Sequence, residues 1–358
     1  MNQTKAIAFY LPQYHPIPEN DRWWGKGFTE WINVTQAQPL FDDHYQPHLP
    51  ADLGFYDLRL PEARIAQAEL AKEYGVYGFC YYHYWFHGKR LLERPFNEVL
   101  GSGEPDFPFC LCWANETWSR RWLGEEKDIL IKQTYSQEDD YNHIQWLVNA
   151  FADDRYIKID NRPLFLIYRP KDLPSIQKTL DIFRNECMKK GLENPYIVGV
   201  DAHSPGYDYR KDGFDSTLAF EPQLGCLPNF KSDRFNFSKL IRNRQMGVDS
   251  AKLKIYDYLE AREKMTKRKR KFPHLQSVFV GWDNTARRGK DGIIMINSSP
   301  DKFKIELKKT IENSMVCTDN NKIVFINAWN EWAEGNHLEP DLLHGCGYLE
   351  AVKEILAN

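Results

Sequence analysis

Apolar residues gather in eight short, nearly unbroken runs: AIAFYL (6–11), YGFCYYHY (77–84), PFCLCWA (108–114), PLFLIY (163–168), YIVGVDA (196–202), STLAF (216–220), SVFVGW (277–282) and KIVFINAW (322–329). Strict apolar–polar alternation would mark strands wetted on one face, whereas continuous runs mark parallel strands buried on both. Between the runs the spacing becomes helical. LPEARIAQAELAKEYG (60–75) places a proline in its first turn and ends at a glycine, SQEDDYNHIQWLVNAFADD (136–154) opens with a serine cap and an acidic turn, and SIQKTLDIFRNECMKKG (175–191) ends in Lys-Lys-Gly. PDKFKIELKKTIENS (300–314), GYLEAVKEILA (347–357), LLERPFNEVL (91–100) and YDYLEAREKM (256–265) complete the set of expected helices.

Strand and helix alternate about eight times and the series ends on a helix, which predicts an α/β fold of the (β/α)8 TIM-barrel type rather than a doubly wound open sheet. With no linker, repeat or low-complexity tract in its 358 residues, the chain reads as one domain over 1–358. The connections after the strands (12 to 60, 115 to 135, 222 to 255) are long and the returns from helices short. In such barrels the loops after the strands form the face where chemistry is done.

Composition narrows the choice of partner. Lys plus Arg number 47 and Asp plus Glu 50, a net charge of -3, so no global field draws the chain to nucleic acid. The N-terminus lacks the apolar core of a signal peptide and no run reaches the ~18 apolar residues of a membrane span, so a cytoplasmic protein is expected. Seven cysteines, none in a CxxC pair, are expected to stay reduced. Aromatic residues make up 14% and cluster as RWW (22–24), FCYYHYWFH (79–87), WANETWSRRW (113–122) and AWNEW (328–332), mostly at the ends of strands. Indoles and phenols offer a flat apolar face and a polar handle, which suits sugars.

The candidate chemistry lies in NAWNEWAEGNHLEP (327–340), where Glu331, Glu334 and Glu339 stand among Trp329, Trp332 and His337. If the chain turns helically there, Glu331 and Glu334 bring their Cβ atoms roughly 5–6 Å apart, near the carboxyl spacing of retaining glycosidases. Two carboxyls so close cannot both ionise easily, and the pair divides into an acid and a base. Glu339, beside Pro340, reads equally as a sugar contact or a helix-terminal charge. Asn330 and Trp332, on either side of Glu331, are candidate substrate contacts.

At the other strand ends Tyr10, Gln13 and His15 are either substrate contacts or packing under the long first loop. Tyr82 and His83 end the second strand, His83 being a hydroxyl ligand or a satisfied core histidine. Trp113, Asn115 and Glu116 end the third, with Glu116 a candidate third carboxylate; Glu221, Trp282 and Asp283 end the sixth and seventh. His337 with Glu339 or Asp341 lacks HExxH or any other clean ligand spacing, so neither a metal nor another cofactor is expected. The run KMTKRKRK (264–271) reads as a solvated helix end or as a contact for a lipid-linked pyrophosphate or an anionic membrane surface.

NEWAEGNHLEP resembles the NEWxEGxxIEP-type signature of glycoside hydrolase family 99, the endo-α-mannosidase and mannanase family. With FYLPQYHPIPENDRWWGKGFTEW, GFCYYHYWFHG and FCLCWANETWSRRW, almost the whole chain is similar to bacterial WbsX-type proteins, a family 99-like group labelled as glycosyltransferases of surface-polysaccharide and O-antigen assembly. The resemblance implies a retaining glycoside hydrolase or transglycosylase acting on an α-linked, mannose-like bacterial oligosaccharide or polysaccharide, in free or lipid-linked form. Glu331 would take the proton from the sugar's own 2-hydroxyl, giving a 1,2-anhydro intermediate, and Glu334 would protonate the leaving group and then activate water. Two other classes compete. A nucleotide-sugar glycosyltransferase fits the family label, although Asp-x-Asp, GxGxxG and Walker motifs are absent. A non-catalytic sugar-binding barrel has little use for two repelling carboxylates.

Overall fold

The protein is described by a computed structural model covering residues 4–120, 125–228, 253–267, 270–314, 316–318 and 321–357. Its eight central strands are β1 (Thr4–Tyr10), β2 (Gly78–Phe86), β3 (Phe109–Trp113), β4 (Arg162–Ile167), β5 (Tyr196–Val200), β6 (Ser216–Ala219), β7 (Leu275–Phe279) and β8 (Asn321–Asn327). Each pairs in parallel with the next. β8 returns to β1, with Ala8 opposite Ile326, and the ring is closed. All eight apolar runs seen in the sequence are barrel strands.

Closure determines which side chains look inward. Phe9 on β1 packs edge-on against Phe220, just beyond β6, with ring centroids 5.2 Å apart. Because β1 and β6 are not neighbours, that contact crosses the lumen. Phe325 and Tyr82 meet the same ring at 5.5 Å. Burying each such phenyl contributes about 1.5–3 kcal/mol, and the cluster plugs the barrel beneath its C-terminal mouth.

Ten helices are described: α1 (Pro18–Trp24), α2 (Glu30–Gln36), α3 (Pro61–Glu73), α4 (Arg94–Ser102), α5 (Gln137–Phe151), α6 (Ile176–Lys189), α7 (Tyr258–Thr266), α8 (Thr285–Arg288), α9 (Pro300–Glu312) and α10 (Gly347–Leu356). The serine cap expected at 136 forms, Ser136 accepting from the Asp139 amide; Ser299 likewise accepts from the Lys302 amide, each satisfying an N–H the helix leaves over. The short α1, α2 and α8 lie in loops after β1 and β7, where no helix is expected from the spacing, and they build the site.

One connection departs from strict alternation. Between β5 and β6 the chain makes only a 3-10 turn, Tyr209–Asp212. A Cβ on Gly199 of β5 would lie 2.7 Å from the Tyr209 ring, so the glycine lets this buried ring sit directly on the barrel where a helix would otherwise pack. Among the described residues no helix is long and apolar enough to cross a membrane, and Cys80, Cys110, Cys112, Cys187, Cys226 and Cys346 form no disulfide.

The basic run does not end as a uniformly solvated tail. Lys267 pairs with Glu263 at 2.7 Å, while Arg270 reaches the buried Asp201 at 2.7 Å. Residues 268–269, and 229–252 of the loop after β6, lie outside the described residues.

Candidate active site

Beyond β8 the chain makes a miniature hairpin at the barrel mouth. Asn330–Glu331 pair antiparallel with Asn336–His337, and the tip is a 3-10 turn, Trp332–Glu334, closed by Gly335 at φ 57. Glu331 and Glu334 thus sit at the two ends of one turn. Asn330 anchors it: its Oδ1 accepts from the Leu11 amide at 2.7 Å and its Nδ2 donates to the Leu11 carbonyl at 3.1 Å. The Tyr14 hydroxyl donates to the Asn330 carbonyl and receives the Trp332 amide. Trp332 stacks on His337 with centroids 3.8 Å apart.

Arg287, from α8, joins the two carboxylates. Its Nη1 donates to Glu334 at 2.6 Å, its Nη2 to Glu331 at 3.1 Å and its Nε to Glu30 of α2 at 3.0 Å. Three carboxylates share one buried guanidinium. Burial opposes the charge of Arg287, but Glu30, Glu334 and Glu331 outweigh it and hold its pKa well above the ordinary value. Burial first, and then Glu334, push Glu331 up to about 8 against the pull of Arg287. Burial also raises Glu334, whose side chain is 21% exposed toward the mouth against 9% for Glu331. One guanidinium cannot neutralise three carboxylates, so the cluster retains a proton near neutral pH.

The pair opens into a cleft of about 490 Å³, within the common range for small-ligand sites. Trp24, Phe28, Trp118 and Trp282 supply indole and phenyl walls, and Tyr82, Tyr84, Tyr168 and Phe220 form the floor. Gln13, Glu116, His203, Asn284 and Asn327 bring polar groups. Two of these inner atoms, Trp282 Nε1 and Asn327 Oδ1, are buried with no hydrogen-bond partner in the protein, one a donor and one an acceptor.

Of the residues singled out from sequence, Gln13, Tyr82, Glu116, Trp282, Glu331 and Glu334 line this cleft. The others stand behind it. Tyr10 donates to Gln67 at 2.7 Å on the outside of the barrel, and His15 is buried with neither ring nitrogen hydrogen-bonded. His83 stacks on Trp146 and meets His143 of α5 at 2.9 Å, the satisfied core position. Trp113 packs on the same His143 at 4.6 Å. Asn115 ties Arg169 and Tyr135 to the third loop, Glu221 pairs with the buried Arg262, and Asp283 binds His44 at 2.6 Å and the Thr285 hydroxyl at 2.6 Å. Glu339 caps no helix. It accepts from Tyr56, Gln67 and Trp332 at 2.6–2.8 Å, and burial pushes it up to about 7. Its place is beneath the hairpin, holding Trp332.

Arg287, Glu30, Tyr84, Tyr168, His203 and Asn327 escape the sequence reading. Tyr84 carries a legible signal, since it lies two residues from Tyr82 and strand side chains repeat every second position. Arg287 lies five residues past Trp282 in a segment with no helical spacing, and nothing in its surroundings marks it.

A closed (β/α)8 barrel whose C-terminal mouth holds a carboxylate pair in an aromatic-walled cleft has the architecture of carbohydrate-active enzymes. A solved structure with the same fold is the GH99 endo-alpha-mannosidase from Bacteroides thetaiotaomicron, with a TM-score of 0.59 at 16% identity over 100% of this chain and 98% of that one. Another, a "Glycoside hydrolase-like protein", aligns with a TM-score of 0.61 at 12% identity over 99% of this chain and 94% of the other. A family profile described as "Glycosyltransferase WbsX" matches residues 6–352, and the chain belongs to that family. The proteins named "Uncharacterized protein WxcX" from two strains of Xanthomonas campestris pv. campestris, B100 and ATCC 33913, are each 42% identical over 357 residues, 98% of this chain and 49% of theirs. The chain spans about half the length of these curated relatives.

Proposed function

We propose that the chain is a retaining glycoside hydrolase or transglycosylase that acts on an α-linked, mannose-like bacterial glycan, free or lipid-linked, in the cytoplasm. The observation that carries the reading is the joint presentation of Glu331 and Glu334 to one aromatic cleft through a single guanidinium. Glu331 removes the proton of the sugar 2-hydroxyl. The freed O2 bonds to C1 as the glycosidic bond breaks, and Glu334 delivers a proton to the departing oxygen. Water, or an acceptor hydroxyl, then gives its proton to Glu334 and opens the 1,2-anhydro ring at C1, while Glu331 returns the proton to O2. No protein nucleophile is consumed. Burial and the mutual repulsion of the two carboxylates raise both and keep one proton on the pair, and that proton is the one Glu334 delivers. Cleft contacts to the sugar fall to Gln13, Tyr82, Glu116 and Trp282.

The test is incubation with the host's surface polysaccharide, scored by new reducing ends. Glu331→Gln and Glu334→Gln are each expected to lower turnover by ~10²–10⁴-fold, since each removes a proton-transfer partner. Near-normal turnover in either variant would end the proposal.

The family description favours a second reading, transfer from an activated donor, and one feature of the cleft fits it. Arg288 lines the cavity, and its side chain makes no hydrogen bond or ion pair among the described residues. A guanidinium left over in a cleft suits a phosphate. Calorimetry against a panel of nucleotide sugars separates the readings: tight binding that is lost in Arg288→Gln promotes transfer, and no binding leaves hydrolysis.

A further inference from the structure

Behind the cleft, the loop after β1 and the loop after β8 bring together three side chains that the proposed reaction does not use. His48 Nδ1 lies 2.9 Å from His337 Nε2, and Asp341 Oδ2 lies 3.8 Å from the same nitrogen. One nitrogen from each histidine and one carboxylate oxygen all fall within 4.8 Å of one another. We propose that His48, His337 and Asp341 bind a divalent cation of the zinc type, which staples the two loops together.

The hydrogen bonds around the cluster turn the acceptor atoms of His337 and Asp341 inward, and His48 Nδ1, which donates to His337 Nε2 at 2.9 Å, gives up that proton when a cation takes its place. His337 Nδ1 is 2.9 Å from the Glu339 carbonyl, which accepts only, so that nitrogen carries the proton and the neutral ring leaves Nε2 as a lone pair. A backbone carbonyl on the far nitrogen is the usual way a metal-binding imidazole is oriented. Asp341 Oδ1 accepts from the Leu343 and His344 amides at 3.0 and 2.6 Å, which leaves Oδ2 turned toward the histidines.

Asp341 is 2% exposed, and among the described residues no Lys or Arg pairs with it. A buried carboxylate with no Lys or Arg on it lacks a counter-charge. The buried Tyr45 hydroxyl lies against the same carboxylate. Two imidazoles, one carboxylate and a fourth position for this hydroxyl or water make a zinc set; calcium and magnesium prefer oxygen throughout. Bonds of about 2.0–2.2 Å in a tetrahedron put ligand atoms about 3.4 Å apart, so the two imidazole nitrogens, now 2.9 Å apart, spread while the carboxylate, 3.8 Å from His337, closes inward. The sequence hides the site because His48 lies 289 residues from His337.

The test uses the full chain, purified without a polyhistidine tag or metal-affinity step, and needs no substrate. Elemental mass spectrometry is expected to find about one zinc per chain. Excess chelator should lower Tm by several degrees and added Zn²⁺ should restore it. His48→Asn and Asp341→Asn should remain folded by circular dichroism, lose at least nine-tenths of the metal and stop responding to chelator or Zn²⁺. If Asp341→Asn fails to fold, His48→Asn, whose ring is only partly buried, carries the test. The proposal is overturned by a metal-free chain whose Tm does not move with added Zn²⁺, or by folded variants that keep their zinc. Either result leaves the glycosidase reading untouched, because Glu331 and Glu334 are not ligands.

Discussion

Arg287 Nη1 donates to Glu334 at 2.6 Å, closer than its contacts with Glu30 at 3.0 Å and Glu331 at 3.1 Å. Its other nitrogens are committed to Glu331 and Glu30, so a four-residue helix after β7 sets the geometry of a turn after β8. Arg287→Met leaves three buried carboxylates facing one another and is expected to destabilise the fold by about 3–5 kcal/mol in urea denaturation. Adding Glu30→Gln should recover part of that loss. Strict additivity of the two changes would show that Arg287 and Glu30 do not interact.

The pH dependence of catalysis follows from the proton held on the pair. Glu331 is raised to about 8, so below that pH the cluster keeps one proton for the leaving group, and above it the proton is lost. Initial rates of kcat/KM should therefore fall above about pH 8. A profile still flat at about pH 9.5 contradicts a shared catalytic proton. Stability should follow the same sign. A carboxyl whose folded pKa lies above its unfolded value favours the folded state at low pH, and the advantage fades as pH climbs from about 4.5 to about 8.

The two glutamates should separate on leaving-group chemistry. An aryl leaving group that departs without protonation bypasses the acid, so Glu334→Gln should retain a large share of its rate on such a substrate. Glu331→Gln should lose ~10²–10⁴-fold on aryl and natural glycosides alike, because the 2-hydroxyl still needs a base. Equal losses in both variants on the aryl substrate would contradict the assigned division of labour.

Away from the site, Gly199→Ala tests the helix-free connection between β5 and β6. Its Cβ would meet the Tyr209 ring at 2.7 Å with backbone strand on one side and a buried ring on the other. Overpacking of this kind costs about 1–3 kcal/mol, readable as a fall in Tm. An unchanged Tm would mean the ring has room to move.

The barrel was legible because its signals are local. Each of the eight apolar runs is a strand, from AIAFYL at β1 to KIVFINAW at β8, and the helix from 300 opens on the serine and proline that its first turn requires. The carboxylate pair was legible too, being three residues apart in a single turn. What the sequence left open was the strand face, since residues of both parities were singled out. Leu11 and Gln13, Tyr82 and Tyr84, Ala114 and Glu116, Phe220 and Asn327 line the cleft, while the intervening Tyr10, His83, Trp113, Asn115 and Glu221 do not.

Every second residue points inward, and the sequence alone determined that period, the strand order of appearance and the acidic turn after β8. It could not say which parity faces the lumen, because parallel strands sandwiched between lumen and helices are apolar on both sides and carry no contrast to read. Closure of the ring decided that. It likewise took the tertiary structure to place Arg287 and Glu30 on Glu331 and Glu334, and His48 on His337: charges and lone pairs act over a few ångströms in space, whatever the distance along the chain, and only the folded barrel brings these loops within that range.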